Sequence, residues 1–298
     1  MCGIVGLLVK NPGMRSELGE LMMPMLLGMT ERGPDSAGLA VFTDPVEAGR
    51  RKLSLYAGTG EFDWGAFEQA ARQALDKTLT LAVKVNHAVL DSGAKAPAVR
   101  KWVREHYPQL YVLSAGTSID LYKDVGLPAE VAERYDFAHL QGTHLVGHTR
   151  MATESAVTPD RAHPFTAGED FCLVHNGSLS NPGSIQRKLK PLGIAFETDN
   201  DTEAACRFLE WRMREGDDLE TALQKGFDEL DGFYTFLMGT KDEIALVRDA
   251  FACKPAIVAE TDDYVAISSE FRSLAQLPDI KNARIFEPKP EEIYVWRV

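Results

Sequence analysis

MCGIVGLLV, residues 1–9, is the stretch on which the reading of the whole chain turns. From Gly3 to Val9 no position is polar, so the segment reads as a strand with no solvated face. Cys2 stands directly ahead of it. A cysteine there either packs as a small hydrophobe or carries chemistry. A small residue after the initiator methionine allows Met1 to be removed, which would leave Cys2 as the N-terminus with its thiol and a free α-amine on one residue. Such a pair is a nucleophile with its own base attached.

Composition narrows the classes. At 298 residues the chain can bury a substantial core, as one large domain or two small ones. Hydrophobic residues at 45% and charged residues at 26% are ordinary for a globular protein. A formal net charge of −12 argues against a nucleic-acid partner, because neutralising phosphates needs clustered Lys and Arg. No apolar run approaches the roughly 20 residues that span a bilayer, and the first residues lack the basic region and cleavage site of a signal peptide. We therefore expect a cytoplasmic protein with no membrane partner. The four cysteines, at 2, 172, 206 and 253, show no ligand spacing, so neither zinc nor an iron–sulfur cluster is expected. Cys172 and Cys206 read as packing residues.

In SELGELMMPMLLGMTERG, Leu18, Leu21, Met22, Met25 and Leu26 recur at helical spacing, and the methionines read as core filling. Pro24 should kink this helix or mark the first turn of one that starts later than Ser16. RGPDSAG (Arg32 to Gly38) is a turn signal, and GLAVF after it returns to strand character. From about 47 to 136, strand-like KLSLY, LTLAVKV and LYVLS alternate with helix-like WGAFEQAARQALDK and AVRKWVREH, with no catalytic signature. Short strands follow, and DTEAACRFLEWRMREG and LETALQKGFDEL have helical periodicity, with Asp201 or Thr202 as N-cap. Without a linker or an internal repeat, one domain with an insertion fits better than two tethered domains.

Four further stretches accompany Cys2: RGPDSAG, GHTRMAT (Gly147 to Thr153), AHPF with HNGSLSN (Ala162 to Phe165, His175 to Asn181), and TDNDTEAA (Thr198 to Ala205). In this order they resemble the class II glutamine amidotransferases, the N-terminal-nucleophile amidohydrolases that open with a processed Cys. The resemblance implies an α+β fold, a four-layer αββα sandwich with Cys2 at the end of a central strand, here spanning 2–298 with an α/β insertion at about 47–136. It implies that Cys2 attacks the side-chain amide of L-glutamine, that Asn176 and Gly177 supply the oxyanion donors, that Arg150 takes the substrate carboxylate, that Asp201 takes its ammonium, and that Thr153 lines the same pocket. No cofactor or metal is implied. His148, His163 and His175 belong to the motifs, and we read them as supporting residues rather than bases.

Met151 and Glu154 depart from the usual family pattern on the segment that folds over glutamine, and Arg150 to Arg161 is expected to act as a lid. We expect no ammonia-accepting synthase to be fused to the motifs. With the long interval after RGPDSAG, this resembles the stand-alone amidotransferase subunits of glutamate synthase and N-methylglutamate synthase, and implies a separate synthase partner, for which the 47–136 section is a docking candidate. Two other readings remain at this point. One is a catalytically silent regulatory or scaffolding subunit. The other is an amidohydrolase for another amide, such as penicillin or a bile conjugate.

Overall fold

The computed structural model describes residues 2–58, 60–151, 158 and 161–298. Three sheets account for its strands. The largest has seven, in the order β15 (Arg284–Phe286), β13 (Ile257–Glu260), β14 (Tyr264–Ser268), β1 (Gly3–Val9), β8 (His144–Arg150), β2 (Ser36–Phe42) and β7 (Ile119–Val125). The second has five, β16 (Ile293–Arg297), β12 (Glu243–Arg248), β11 (Gly232–Thr240), β10 (Phe171–Leu179) and β9 (Phe165–Thr166). All pairings in both sheets are antiparallel.

The apolar run of β1 is explained by what covers it. Val5, Leu7 and Val9 face a core shared with helices α1 (Leu18–Leu27) and α4 (Pro128–Arg134), whereas Ile4 and Leu8 face Val174, Leu237 and Leu246 of the second sheet. A strand buried on both sides has no use for alternation. The second sheet repeats this logic, its outer face packing Leu173, Phe236, Met238 and Val247 under α5 (Pro182–Leu189), α6 (Asp201–Arg214) and α7 (Leu219–Glu229). The layers therefore run helix, sheet, sheet, helix, in a four-layer αββα sandwich of the α+β class.

Helix α1 begins at Leu18 and keeps Pro24 inside it, and Met22, Met25 and Met29 are buried in its core. Cys172 and Cys206 are also buried, and burial pushes the Cys172 thiol up to about 12.

A third sheet, β4 (Thr80–Lys84), β5 (His87–Ser92), β3 (Arg51–Tyr56) and β6 (Tyr111–Gly116), packs on α2 (Trp64–Ala74) and α3 (Ala96–His106) around its own core of Leu53, Phe67, Leu90 and Val99. Within the 47–136 interval only this unit stands apart, because β7 and α4 belong to the layers of the sandwich. Strand β5 escapes the sequence reading because the hairpin before it turns on Val85 and Asn86. Val85 holds φ 55°, a left-handed value that a β-branched residue rarely adopts, so no glycine marks the turn. Among the described residues no helix is long and apolar enough to cross a membrane.

Candidate active site

The motif residues gather at one end of the sandwich because register puts them there. Gly3 pairs with Thr149 and Ser36 with Arg150, so Cys2, Arg150 and Ser36 end three neighbouring strands. Arg150 is buried and its Nη1 donates to the Arg161 carbonyl at 3.4 Å. The turn that precedes β2 braces it, since the Asp35 N–H donates to the Arg150 carbonyl at 3.0 Å. Cys2 is half-buried, and Arg32 Nε donates to its carbonyl at 3.1 Å.

The facing sheet contributes Asn176 and Gly177 from the middle of β10. The two sheets are tied at this point by His148 Nε2, which donates to the His175 carbonyl at 3.1 Å. Asn176 is 2% exposed, and its Nδ2 has no hydrogen-bond partner among the described residues. A buried amide donor without an acceptor costs about 1–3 kcal/mol, so it marks a place built to receive an oxygen. Gly177 holds φ 147°, and a Cβ there would lie 2.0 Å from the Phe233 carbonyl oxygen. Only glycine fits.

Asp201 is the first residue of α6. Its Oδ2 accepts from the Leu179 N–H at 2.9 Å, which anchors the helix start to the strand that carries Asn176. The N-cap is Asn200, whose side chain accepts from the Thr202 N–H at 2.8 Å; it is neither Asp201 nor Thr202, the two residues the sequence reading put there. The displacement frees Asp201 to reach Leu179 and Thr202 to reach the histidines.

Those histidines form a dry support under the site. His148 and His163 stack with centroids 4.1 Å apart, and Thr202 Oγ1 lies 2.8 Å from His163 Nε2 and 3.1 Å from His175 Nδ1. Burial drives His148 down to about 3 and holds His163 and His175 below the usual histidine range, so all three are neutral at physiological pH. Gly38 of RGPDSAG lets this layer close: a Cβ there would sit 2.0 Å from the His163 carbonyl oxygen.

Cys2, Arg150, Asn176, Gly177 and Asp201 thus come to one end of the fold. Thr153 and Glu154, with most of the expected lid, lie outside the described residues. Sequence reading offered Thr202 only as an N-cap and did not foresee that it joins two of the three histidines, and it gave no role to Arg32 on the Cys2 carbonyl. Both lie inside quoted motifs, which was the available signal. Glu270, paired with Arg32 Nη1 at 3.1 Å, lies outside every motif and carried none. Among the described residues no group of three or more His, Cys, Asp or Glu is placed to hold a metal.

Residues 148–276 match the glutamine amidotransferase domain family. The chain is 48% identical over 297 residues to the glutamine amidotransferase-like protein GlxB of Rhizobium meliloti, covering 99% of this chain and 98% of that one. It is 29% identical over 188 residues to an amidophosphoribosyltransferase of Methanocaldococcus jannaschii, covering 60% of this chain and 40% of that one. The solved glutamine phosphoribosylpyrophosphate amidotransferase from B. subtilis shares the fold, with a TM-score of 0.62 at 19% identity over 99% of this chain and 47% of that one. The chain belongs to the class II glutamine amidotransferases, and its fold is that of the N-terminal-nucleophile hydrolases.

Proposed function

We propose that this chain is a glutaminase subunit that hydrolyses the side-chain amide of L-glutamine through a cysteine thioester and hands the ammonia to a separate glutamate-synthase-like partner. The observation that carries the reading is the buried Asn176 Nδ2, without a hydrogen-bond partner among the described residues, beside Gly177 on the strand that faces the Cys2 end of the sandwich.

With Met1 removed, the α-amine of Cys2 takes the thiol proton and the thiolate attacks the amide carbon. The oxyanion that forms accepts from Asn176 Nδ2 and the Gly177 N–H, donors that cost nothing to orient at the moment of reaction. Collapse of the intermediate expels ammonia, which leaves with the proton from the α-ammonium. Water, deprotonated by the same amine, then cleaves the thioester to glutamate. The neutral, desolvated histidines hold strands and helix in place and take no proton in this scheme.

Arg150 binds the substrate carboxylate with its planar guanidinium, Asp201 pairs with the ammonium, and Thr153 completes that pocket. We take residues 2–298 as one type-2 glutamine amidotransferase domain in which the inserted part of the 47–136 interval is the small-sheet unit at 51–116, β7 and α4 belonging to the sandwich. Four free cysteines, two of them buried, suit a reducing compartment, and we assign the chain to the cytoplasm.

The test is glutamate and ammonia release from glutamine by the wild type and by Cys2→Ala, Arg150→Lys and Asp201→Asn, with a simple amide lacking both α-groups as control. Cys2→Ala should be inactive on both amides. The two clamp variants should lose roughly tenfold or more in kcat/KM on glutamine and little on the control. Equal losses on both substrates would remove the clamp, and turnover by Cys2→Ala would remove the nucleophile.

A further inference from the structure

Arg32 is 8% exposed and lies against the residue on which the proposed chemistry depends. Its Nε donates to the Cys2 carbonyl at 3.1 Å and its Nη1 meets Glu270 Oε1 at 3.1 Å. Glu270 is fixed in turn. Its N–H donates to Ser268 Oγ at 3.2 Å, and its Oε2 meets Arg272 Nε at 2.7 Å. Arg272 Nη1 then reaches Glu31 Oε2 at 2.8 Å. Charges of alternating sign therefore run from the Cys2 carbonyl to the surface, where the Arg272 and Glu31 side chains are 49% and 80% exposed. The strand end that leads to Glu270 is closed onto β1 by Ser269, whose Oγ accepts from the Ile4 N–H and whose own N–H donates to the Ile4 carbonyl, each at 3.0 Å.

A chain-terminal nucleophile is covalently held on one side only. Rotation about its Cα–C bond and its χ1 decides where amine and thiol point, so a hydrogen bond to its carbonyl fixes the peptide plane from which both are aimed. An arginine long enough to make that bond has several rotatable bonds of its own, and the carboxylate it pairs with sets its direction. We propose that Glu270 is a positioning residue for Cys2: it holds the Arg32 guanidinium against the Cys2 carbonyl and thereby aims thiol and α-amine at the carbon whose oxygen meets Asn176 and Gly177. Arg272 steadies Glu270 from the surface. The inference rests on the reading of Cys2 as nucleophile.

The experiment compares full-length Glu270→Gln, Glu270→Asp and Arg272→Gln with wild type and Cys2→Ala. It measures kcat and KM for glutamine hydrolysis and the rates of Cys2 labelling by a glutamine diazoketone analogue and by iodoacetamide. Glu270→Gln should lower kcat roughly tenfold while KM stays within about twofold, because misplacement of a nucleophile is felt in the chemical step and not in binding. Analogue labelling should slow to the same degree and iodoacetamide labelling should change little, since the small reagent needs no alignment. Glu270→Asp should recover most of the loss, and Arg272→Gln should lose only about two- to threefold, as expected of a partly exposed partner.

Wild-type kcat and analogue labelling in Glu270→Gln, or a raised KM with kcat intact, overturns the positioning role while an inactive Cys2→Ala keeps the nucleophile. Turnover by Cys2→Ala, or a wild type without glutaminase activity, removes the underlying reading and this inference with it. If Glu270→Gln does not fold, Arg272→Gln carries the test through the same split between kcat and KM.

Discussion

At the site, four consecutive residues each address different partners: Asn200 caps α6, Asp201 holds Leu179, Thr202 joins two histidines, and Glu203 accepts from the Glu197 and Thr198 N–H groups. At the joint between the small sheet and the sandwich the arrangement is inverted, and a single side chain serves many. Asp124 of β7 takes Tyr56 of β3, Asn86 beside β5, Arg134 of α4, Tyr135 and the Val125 N–H. Burial pushes the Asp124 carboxyl up, but hydrogen bonds from Tyr135, the Val125 N–H, Arg134 and Asn86 outweigh it and hold the group below the usual carboxylate range. Chemistry on a substrate needs several different groups in fixed relative positions, which a contiguous motif on one helix start supplies. Joining two folded units needs one satisfied anchor, and its partners can come from anywhere.

The comparison predicts different consequences for single changes. The largest effect is expected for Gly177→Ala. Its φ of 147° and a Cβ 2.0 Å from the Phe233 carbonyl oxygen force β10 away from β11, at a cost of about 3–5 kcal/mol and with loss of glutaminase activity. Urea unfolding and ammonia release measure both, and a folded, active variant would mean that the strand pair is not fixed as described.

Asp124→Asn comes next. It removes a buried charge from Arg134 and leaves an amide donor among donors, at about 3 kcal/mol in urea unfolding. Because Asp124's hydrogen bonds among the described residues go to Tyr56, Asn86, Val125, Arg134 and Tyr135 and to none of Cys2, Arg150, Asn176, Gly177 or Asp201, kcat in the fraction that remains folded should stay within about twofold of wild type. A large kcat loss at full folding would show that the joint and the site are coupled, contrary to the division drawn above.

How much of this the sequence disclosed follows from the same contrast. That Cys2, Arg150, Asn176, Gly177 and Asp201 come to one end of the fold was legible because each sits in a short motif whose neighbours have partners of their own. The burial of β1 was legible because a strand covered on both faces leaves an unbroken apolar run. Asp124 was not legible: its partners at 56, 86, 134 and 135 come from separate elements, and no spacing announces that they meet. Glu270 was hidden for the same reason, 238 residues from the arginine it holds. The membership of β7 and α4 in the sandwich depends on long-range pairing of Ser36 to Phe42 with Val125 to Ile119, which periodicity cannot reveal.

A smaller effect concerns pH. His148 under the site and His87 at the joint are both driven by burial to about 3, against an ordinary value near 6.5. For such groups the unfolded chain binds the proton and the folded chain does not. Their stabilising contribution is full above pH 6.5 and is lost as pH falls toward 3. Between pH 7 and 5 each should lose roughly 2 kcal/mol of unfolding free energy. His87→Gln keeps an acceptor for the Lys123 N–H, which His87 Nε2 now accepts at 3.3 Å, but cannot titrate. Its stability should therefore decline by about 2 kcal/mol less than wild type over that interval. An identical decline would place His87 in contact with solvent protons in the folded state.

The central claim is that Cys2, with its own freed α-amine, is the nucleophile that glutamine meets at the end of β1. Intact-mass and peptide mass analysis of the full chain after reaction with a glutamine diazoketone analogue tests this most directly. The account predicts a mature chain beginning at Cys2, a single adduct on that residue, loss of glutaminase activity in step with labelling, and protection by glutamine. Fully active protein that retains Met1, or inactivating adducts on the exposed Cys253 with Cys2 unmodified, would contradict it.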